Sequence, residues 1–422
     1  MITTIEELRL LAQRRVPRMF YDYVDSGSWT ESTYRRNESD FQRIKFRQRI
    51  ARDMSNRSTK TSMIGHSVSM PVALAPIGLL GMQRANGEVL AAQAAAEFGI
   101  PFTLSTMSIC SIEEVARQSS APFWFQLYVM RDHEYSKRLI QRAKAAECSA
   151  LVITLDLQVM GQRHKDIKNG LSAPPKPVFR NILNMATKPQ WCFEMLQTRN
   201  HTFGNIVGHV EGVSDTSSLS AWSSEQFDLT LNWDDVARIK DWWGGKLILK
   251  GIMDPEDAVL AVKAGADAIV VSNHGGRQLD DADSSIAILP EIVRALNQLD
   301  LHQSSGSLDN INGENEECHD LESVLGQLNS GNLKRPKATP RTEIWLDGGI
   351  RSGQDVLKAI ALGARGVLLG RAYAYGLGAD GKNGVKQSLD IIHKELDLTM
   401  ALCGHRDIHD IDGSIIRDCP FS

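Results

Sequence analysis

The six cysteines of this chain form no Cys-x-x-Cys pair; they are scattered, at positions 110, 148, 192, 318, 403 and 419. This scatter argues against a zinc or other metal site and against a disulfide framework, and it favours a reducing compartment. The sequence also lacks any apolar run approaching the roughly 18 residues that cross a bilayer. Its first residues lack the basic and then apolar pattern of a secretory signal. We therefore expect neither a membrane-spanning helix nor a signal peptide.

The chain has no excess of basic residues, because 47 Lys and Arg face 51 Asp and Glu, for a net charge of −4. Without a basic field, no nucleic-acid partner is expected. No Gly-x-Gly-x-x-Gly turn follows the first apolar strand, which counts against a dinucleotide-binding fold. A hydrophobic content of 42% over 422 residues supports a sizeable core, in one decorated domain or in two domains.

A repeating unit is present instead: a short apolar strand, then polar or glycine residues, then an amphipathic helix. The candidate strands are residues 72–75, 102–105, 123–127, 151–155, 246–250, 268–272, 343–347 and 367–370. Asp254 and Ser352 are the predicted N-caps of two of the helices. Eight strand–helix units predict an α/β fold, a parallel (β/α)8 TIM barrel, with an open doubly wound sheet as the alternative.

Polar and charged residues, and one glycine, lie where these strands end. In a barrel such ends converge on one face, where active sites are built, so we expect the side chains to form one site. They are Ser105, Thr106, Gln126, Tyr128, Thr154, Asp156, Lys250, His274, Arg277, Asp347, Gly370 and Arg371.

The segment from Ser272 to Asp280, SNHGGRQLD, is the most informative of these ends. Its histidine, His274, is suited to accept a proton near neutral pH. Arg277, three residues on, is suited to bind a carboxylate through two parallel hydrogen bonds. Together they predict an anionic substrate that loses a proton. The alternative is a glycine turn with a surface histidine and arginine.

A second motif follows the seventh and eighth strands. Gly348, Gly349 and Arg351 come after the seventh strand, and Gly370 and Arg371 after the eighth. Exposed backbone N–H groups and two guanidiniums at this position are typical of a phosphate site in a barrel, and a sugar hydroxyl fits the neighbouring aspartate. Turn glycines with surface ion pairs are the alternative.

Two segments interrupt the repeat. The first, 157–232, is a long loop after strand 4 on the predicted catalytic rim. Its apolar residues stand beside basic ones, which suits a peripheral membrane contact; a lid on the barrel or a subunit contact is the alternative. The second, 300–341, is a polar insertion before strand 7, expected to be flexible and without catalytic duty. The residues behind the membrane prediction are Phe179, Ile182, Leu183, Trp191, Phe193 and Leu196, with Arg180, Lys188 and Arg199.

With these motifs in place, the chain resembles the FMN-dependent 2-hydroxy-acid oxidase and dehydrogenase family. The resemblance runs from YDY at 21–23 to Arg371 and the helices after it, and SNHGGRQLD and LDGGIRSGQDVLKA (346–359) are its most specific parts. Residues 161–170 and 203–207 resemble the bacterial respiratory L-lactate dehydrogenase branch.

The resemblance implies one FMN-binding barrel domain, 1–422, with an N-terminal helical segment at 1–65. It implies that L-lactate, or a similar 2-hydroxy acid, is oxidised to pyruvate while electrons pass to membrane quinone. It further implies a homo-oligomer, typically a tetramer, bound peripherally at the cytoplasmic side of the bacterial inner membrane.

Carried over position by position, the resemblance makes His274 the active-site base, with Asp156 orienting its ring. The other substrate residues that it implies are Arg277 and Arg163 at the carboxylate, Tyr23 beside them, and Tyr128 at the substrate hydroxyl or keto oxygen.

For FMN, the resemblance places Lys250 near flavin N1 and the backbone of Ala75, Pro76 and Ile77 on the N5 side. Gly78 departs from the family, in which many members carry a small hydroxyl residue. The remaining contacts that it implies are Ser105, Gln126, Thr154 and Ser272 on the isoalloxazine or ribityl chain, Asp347 on ribityl hydroxyls, and Gly349, Arg351, Gly370 and Arg371 on the phosphate.

Three alternatives to this function remain. An oxidase of the glycolate or lactate type would pass electrons to oxygen and would not need the apolar, basic rim segment. A non-redox barrel isomerase would use the same phosphate loops, but L-lactate would not bleach a yellow colour of the purified protein. A non-catalytic binding barrel would have no use for His274, Arg277, Arg163, Asp156 and Lys250 together.

Overall fold

The computed structural model describes residues 1–171, 179–209, 227–309 and 342–421, and only the backbone within 302–309. Its strands form three sheets. Small ones are made by β1 (Lys45–Phe46) with β12 (Ile416–Asp418), and by β2 (Thr61–Met63) with β3 (His66–Val68). The central sheet contains β4 (Val72–Leu74), β5 (Thr103–Ser105), β6 (Trp124–Leu127), β7 (Ala150–Thr154), β8 (Lys246–Ile252), β9 (Ala268–Val271), β10 (Glu343–Asp347) and β11 (Gly366–Leu369).

The central sheet closes on itself. Its eight strands are parallel and lie in the order β4–β11–β10–β9–β8–β7–β6–β5. A parallel bridge between Leu74 and Phe102 joins the two ends, and Leu74 N donates to Pro101 O at 2.8 Å. The predicted TIM barrel is therefore confirmed, and the open sheet is wrong. The predicted strand bounds lie within two residues of the observed ones.

The barrel interior changes from apolar to polar along its axis. Alternate residues of a barrel strand face inward. A buried inner cluster includes Trp124, Val152, Ile248, Val270 and Trp345, and the two tryptophan rings stack with centroids 5.1 Å apart. Two residues further along the same five strands, toward their carboxyl ends, the inward positions are polar. They are Gln126, Thr154, Lys250, Ser272 and Asp347, and Ser105 joins them from β5.

Helices surround the barrel. Capping boxes begin several of them, and the predicted caps Asp254 and Ser352 are confirmed, each accepting a backbone N–H of the first turn. In chain order the helices are α1 (Ile5–Arg15), α2 (Arg18–Val24), α3 (Ser32–Arg43), α4 (Leu80–Gln83), α5 (Gly87–Phe98), α6 (Ile112–Gln118), α7 (His133–Ala145), α8 (His164–Lys168), α9 (Phe179–Ala186), α10 (Pro189–Gln197), α11 (Trp233–Trp243), α12 (Pro255–Lys263), α13 (Ser285–Asp309), α14 (Gly353–Ala361) and α15 (Arg371–Leu402), which is kinked at Asp380 and Gly381.

The segments outside the repeat differ in part from expectation. The N-terminal helices end at Arg43, so the predicted helical segment 1–65 is helical only in its first two thirds, and β2 already lies within it. The predicted insertion, 300–341, begins inside α13, which continues to Asp309. The rest of the insertion, 310–341, and residues 172–178 and 210–226 of the rim loop lie outside the described residues. In the part that is described, no helix has the length and apolar character needed to cross a membrane.

Candidate active site

His274 and Asp156 meet at the carboxyl end of the barrel. His274 lies three residues after the end of β9 in a left-handed turn (φ +57°), and Gly275 and Gly276 continue that turn with positive φ. Asp156 lies two residues after β7. The His274 Nδ1 atom is 2.8 Å from Asp156 Oδ1. Because the carboxylate accepts the Nδ1 proton, Nε2 is the nitrogen available to receive another.

The protonation of this pair follows from its surroundings. Burial lowers the pKa of His274, and the nearby Lys250 and Arg277 act in the same direction, while Asp156 opposes them. Burial alone would raise the pKa of Asp156, but His274 and Lys250 hold it below its ordinary value. The pair therefore combines a neutral imidazole with a carboxylate, as a general base requires, and the carboxylate stabilises the imidazolium that forms.

Two guanidiniums gather around the Tyr23 ring beside this pair. The Arg277 carbon Cζ lies 4.9 Å from the ring centroid, and that of Arg163 lies 5.9 Å from it. Arg277 Nη1 also donates to Tyr23 O at 2.6 Å and to Ser26 Oγ at 3.0 Å. Burial raises the pKa of the neighbouring Tyr128 hydroxyl, which keeps it a hydrogen-bond donor. This set suits a small carboxylate with an adjacent oxygen.

A hydrogen-bonded chain crosses the polar floor of the barrel. Lys250 Nζ donates to Ser272 Oγ at 2.9 Å and lies 3.2 Å from Asp347 Oδ2. Ser272 Oγ in turn donates to Asp347 Oδ1 at 2.5 Å. Burial alone would lower the pKa of Lys250, but Asp347 and Asp156 raise it above its ordinary value. Lys250 is therefore a fixed positive charge at the centre of the floor.

Several buried polar atoms of the floor have no hydrogen-bond partner among the described residues. Gln126 Nε2 and Thr154 Oγ1 are two of them. Ser105 Oγ donates to Gln126 Oε1 at 3.0 Å, so the amide oxygen is satisfied and the amide nitrogen is not. Because leaving a buried polar group unpaired costs free energy, these atoms indicate a bound polar group above the floor.

The glycine and arginine loops after β10 and β11 lie beside this floor. Gly349 has φ +81°, and a Cβ there would stand 1.8 Å from the Asn37 carbonyl oxygen, whereas a Cβ at Gly370 would meet no atom within 4 Å. Arg351 Nη2 pairs with Glu38 Oε1 at 2.8 Å. Space is therefore open at Gly370, the residue before Arg371.

Comparison with known proteins identifies the family. The model of FMN-dependent dehydrogenases matches residues 12–308 and 321–418. The chain belongs to this family. L-lactate dehydrogenases of Caulobacter sp. (strain K31) and Haemophilus influenzae (strain ATCC 51907 / DSM 11121 / KW20 / Rd) are 42% and 41% identical to it. The first alignment covers 98% of both chains, and the second covers 99% of this chain and 98% of the relative.

Solved structures agree with this assignment. A monotopic membrane protein, (S)-mandelate dehydrogenase, matches with a TM-score of 0.84 and 32% identity over 99% of each chain. A mandelate oxidase with (S)-4-hydroxymandelic acid matches with a TM-score of 0.76 and 30% identity, over 99% of this chain and 98% of that one. Membership in a family of redox enzymes makes the isomerase and non-catalytic alternatives wrong.

FMN is thus the cofactor of this FMN-dependent dehydrogenase, and the barrel floor fits it. The unpaired Gln126 amide and Thr154 hydroxyl match the hydrogen-bonding edge of an isoalloxazine ring. The charge of Lys250 matches a ring that becomes electron-rich on reduction. The loop after β4 lies nearby, since a Cβ at Gly78 would stand 3.1 Å from the Tyr23 hydroxyl, and Tyr373 Oη donates to Ala75 O at 2.7 Å.

Arg371 has a structural connection that sequence reasoning missed. Its guanidinium donates to three backbone carbonyls: Nε to Val24 (2.9 Å), Nη1 to Gly275 (3.0 Å) and Nη2 to Ser26 (2.7 Å). It therefore ties the end of α2 to the turn that carries His274. A guanidinium has five N–H groups, so two remain for another ligand.

Two buried aspartates of this FMN-dependent dehydrogenase were also missed. Asp25 accepts hydrogen bonds from the hydroxyls of Tyr21, Tyr34 and Tyr375, at 2.7 to 2.8 Å, and these donors, against the effect of burial, lower its pKa to about 2. Asp166 lies beside Arg163, which precedes it by three residues on the chain. The Arg-x-x-Asp spacing was the available signal for Asp166. For Asp25 the available signal was Tyr21, four residues earlier, but its other two partners come from α3 and α15.

The rim helices α9 and α10 form a partly uncovered apolar surface. Phe179, Ile182, Leu183, Phe193 and Leu196 have exposed fractions between 54% and 84%. We call these five residues the rim patch.

The prediction that Trp191 belongs to this exposed surface is wrong. Its ring stacks on Phe20 with centroids 5.6 Å apart, and its Nε1 donates to Met82 O at 2.9 Å. Lys188 is also engaged, donating to Arg14 O at 2.5 Å. Trp191 and Lys188 therefore fasten the helices to the body of the protein, while the rim patch faces away from it.

Proposed function

We propose that this FMN-dependent dehydrogenase oxidises L-lactate to pyruvate. The observation that carries the proposal is the His274–Asp156 pair beside two guanidiniums, above a polar floor with unpaired donors. The names of the relatives, L-lactate dehydrogenases over nearly the full chain, support the substrate. An L-2-hydroxy acid offers the matching groups, one carboxylate and one adjacent hydroxyl.

Each substrate residue has one task in this proposal. Arg277 and Arg163 bind the carboxylate with the help of the Tyr23 hydroxyl, and Tyr128 donates to the substrate oxygen. His274 Nε2 removes a proton, from the hydroxyl if a hydride leaves the α-carbon or from the α-carbon if a carbanion forms. Asp156 stabilises the resulting imidazolium. FMN, when bound, accepts the two electrons.

For FMN, we propose the contacts that the family resemblance implies. Lys250 would lie near flavin N1, where its charge would stabilise the reduced ring, and the backbone of Ala75, Pro76 and Ile77 would lie on the N5 side. Arg371 binds the phosphate with the N–H groups that its three carbonyl partners leave free. The other proposed contacts are Ser105, Gln126, Thr154, Ser272 and Asp347 on the ring and ribityl chain, and Gly349, Arg351 and Gly370 at the phosphate.

An anaerobic titration tests the proposed reaction. The purified holoprotein is mixed with L-lactate, D-lactate, glycolate, L-2-hydroxybutyrate or (S)-mandelate, and the visible flavin band is followed. We expect L-lactate to bleach the band fastest and D-lactate to leave it unchanged. Faster bleaching by another acid would reassign the substrate, and the absence of bleaching by any of them would contradict the proposal. Reoxidation by oxygen or by a soluble quinone then separates an oxidase from a dehydrogenase.

We further propose a peripheral membrane location, at the cytoplasmic side of the bacterial inner membrane, where electrons pass to quinone. The rim patch supports it, because exposed apolar residues of this size need a partner surface. Arg180 and Arg199, both exposed, would lie among anionic headgroups. The mandelate dehydrogenase that resembles this chain is itself a monotopic membrane protein. Assembly into a homo-oligomer is also part of the proposal.

The membrane prediction is tested by replacing the five rim-patch residues with serine or glutamine. We expect binding to phosphatidylglycerol vesicles to weaken roughly tenfold or more, because the apolar area that enters the bilayer is lost. Reduction of FMN by L-lactate should stay unchanged, while quinone-coupled turnover falls. Cosedimentation and both activities are the measurements.

A matched variant controls for the general loss of surface hydrophobicity. It carries the same kinds of substitution at five exposed apolar residues of other surfaces, Leu10, Ile50, Leu260, Leu398 and Leu402. This control should sediment with vesicles like the unmodified protein. If the rim variant bound vesicles as well as the control does, the membrane proposal would be wrong and a subunit contact would replace it.

Asp156→Asn tests the electrostatics of the base. A base acts only when deprotonated, so kcat/KM falls as the pH drops through the pKa of His274. Asp156 raises that pKa, so its neutralisation should move the acid limb of the profile to lower pH. Reduction at neutral pH should also slow roughly tenfold or more, because the imidazolium loses its partner. A limb that moved to higher pH would contradict this assignment.

A further inference from the structure

Asp166 stands between the two arginines of the proposed carboxylate site. Its Oδ2 atom is 3.4 Å from Arg163 Nη1 and 3.9 Å from Arg277 Nη2. The side chain is buried, with 12% of its surface exposed. Its other oxygen, Oδ1, is buried and has no hydrogen-bond partner among the described residues. The carboxylate therefore faces the guanidiniums rather than the solvent.

Two neighbouring charged residues, Lys165 on α8 and Asp22 on α2, have other partners. Lys165 Nζ donates to Asp25 O at 2.8 Å and lies 3.2 Å from Glu31. Asp22 accepts from Asn169 Nδ2 at 2.8 Å and pairs with Arg18. In the described part of the chain, Asp166 is thus the carboxylate that lies within 4 Å of both arginines.

The two arginines repel each other, and that repulsion needs a counter-charge. Burial and the nearby Arg163 lower the pKa of Arg277 to about 10, so the Arg277 guanidinium is still charged at neutral pH. Burial raises the pKa of Asp166, whereas Arg277 and Arg163 oppose that rise by favouring its ionised form. Two positive groups held against one ring, with a single carboxylate between them, leave one net positive charge.

We propose that Asp166 is a positioning residue that holds Arg163 and Arg277 together as a pair and matches their charge to a substrate with one carboxylate. Specificity for monocarboxylic over dicarboxylic 2-hydroxy acids follows, because Arg163, Arg277 and Asp166 together leave one positive charge, which the first carboxylate neutralises. The inference rests on the proposed function, since it assumes that the two arginines bind the substrate carboxylate.

The test compares propanoate with malonate, which have three carbons each and differ by one carboxylate. Both are titrated into the FMN-loaded protein without turnover, and the change in the flavin spectrum gives each Kd. In Asp166→Asn, the preference for malonate over propanoate should rise roughly tenfold, as expected for one additional unbalanced charge near the site. With substrates, the ratio of flavin reduction by L-malate to that by L-2-hydroxybutyrate should rise in the same direction.

Lys165→Gln is the matched control, because it releases α8 from Asp25 and Glu31 without touching either arginine. It should leave the malonate-to-propanoate ratio unchanged. Asp166→Glu, which keeps the charge, should also keep the ratio even where both affinities fall. If Asp166→Asn weakened both ligands by the same factor, or if Lys165→Gln shifted the ratio equally, the role of Asp166 would be purely structural and the proposal wrong.

Unmodified holoprotein supplies a second test that needs no variant. It should bind propanoate at least as tightly as malonate, and the reverse order would overturn the proposal even if Asp166→Asn could not be purified with FMN. The outcome is separate from that of the proposed function. Failure of L-lactate to bleach the flavin would reject the reaction, whereas these ligand ratios report only on the charge of the site.

Discussion

Replacing His274 with glutamine is expected to slow the reduction of bound FMN by L-lactate by roughly two orders of magnitude or more. Glutamine has a similar volume and can still donate to Asp156, but it has no basic nitrogen. The turn that carries position 274 is fixed independently, by Arg371 on the Gly275 carbonyl and by the His274 backbone N–H on Ser272 Oγ. The variant should therefore keep its FMN. Rapid mixing under nitrogen measures the reduction rate.

A second histidine–aspartate pair provides the control for this prediction. His133 Nε2 lies 2.8 Å from Asp228 Oδ2, on the outer helix α7 rather than on the barrel floor. His133→Gln should reduce its FMN at the unmodified rate and retain the same amount of cofactor. Near-normal reduction in His274→Gln would show that another group removes the proton. Loss of FMN from that variant would instead reveal a structural role for the imidazole.

The parts of the molecule that were predictable from sequence are those that depend on periodic patterns. The barrel follows from the strand repeat, and a barrel brings the ends of its strands together whatever lies between them. This is why His274 and Asp156, 118 positions apart, meet at 2.8 Å as expected. Lys250 was likewise placed on the floor because it ends the predicted strand 246–250, although β8 continues to Ile252.

Contacts made by segments outside the strand–helix repeat were not predictable in this way. The apolar pattern of α9 and α10 indicates which side chains are expected to be shielded from water. It does not indicate that Trp191 packs on Phe20 while its apolar neighbours are exposed. The polar residues after position 300 suggested a loop, although composition alone does not end a helix and α13 continues to Asp309. The three tyrosines on Asp25 come from α2, α3 and α15, which no local pattern connects.

Several long-range contacts, including those of Asp25, converge on residues 23–26 at the end of α2. Arg371 bonds to the carbonyls of Val24 and Ser26, and Arg277 bonds to those of Tyr23 and Ser26. Asp25, held by its three tyrosines, fixes the same segment from the other side. The position of the arginine that is proposed to bind substrate thus depends on the N-terminal helices. Arg277 has two kinds of partner to satisfy at once: this segment and the substrate.

Arg277→Lys should therefore weaken L-lactate binding strongly although it conserves the charge. The guanidinium bonds to Tyr23 O at 2.6 Å and to Ser26 Oγ at 3.0 Å through one nitrogen, Nη1, which leaves its other N–H groups to face a carboxylate. A lysine has one nitrogen for both tasks. Losing one charge-assisted hydrogen bond costs about 2 kcal/mol, which is roughly thirtyfold in affinity.

We expect this loss as a higher Kd for L-lactate, together with slower reduction because the substrate is held less firmly over the ring. Anaerobic rapid mixing over a range of lactate concentrations gives both quantities. Arg294→Lys is the control and should change neither, because Arg294 lies on the exposed face of α13 and, in the described part of the chain, its guanidinium donates to the Pro290 carbonyl at 3.3 Å. If the Arg277 variant matched that control in both affinity and rate, the carboxylate would have to bind elsewhere. The roles proposed for Arg163 and Asp166 would then be wrong as well, because they depend on the same pair of guanidiniums.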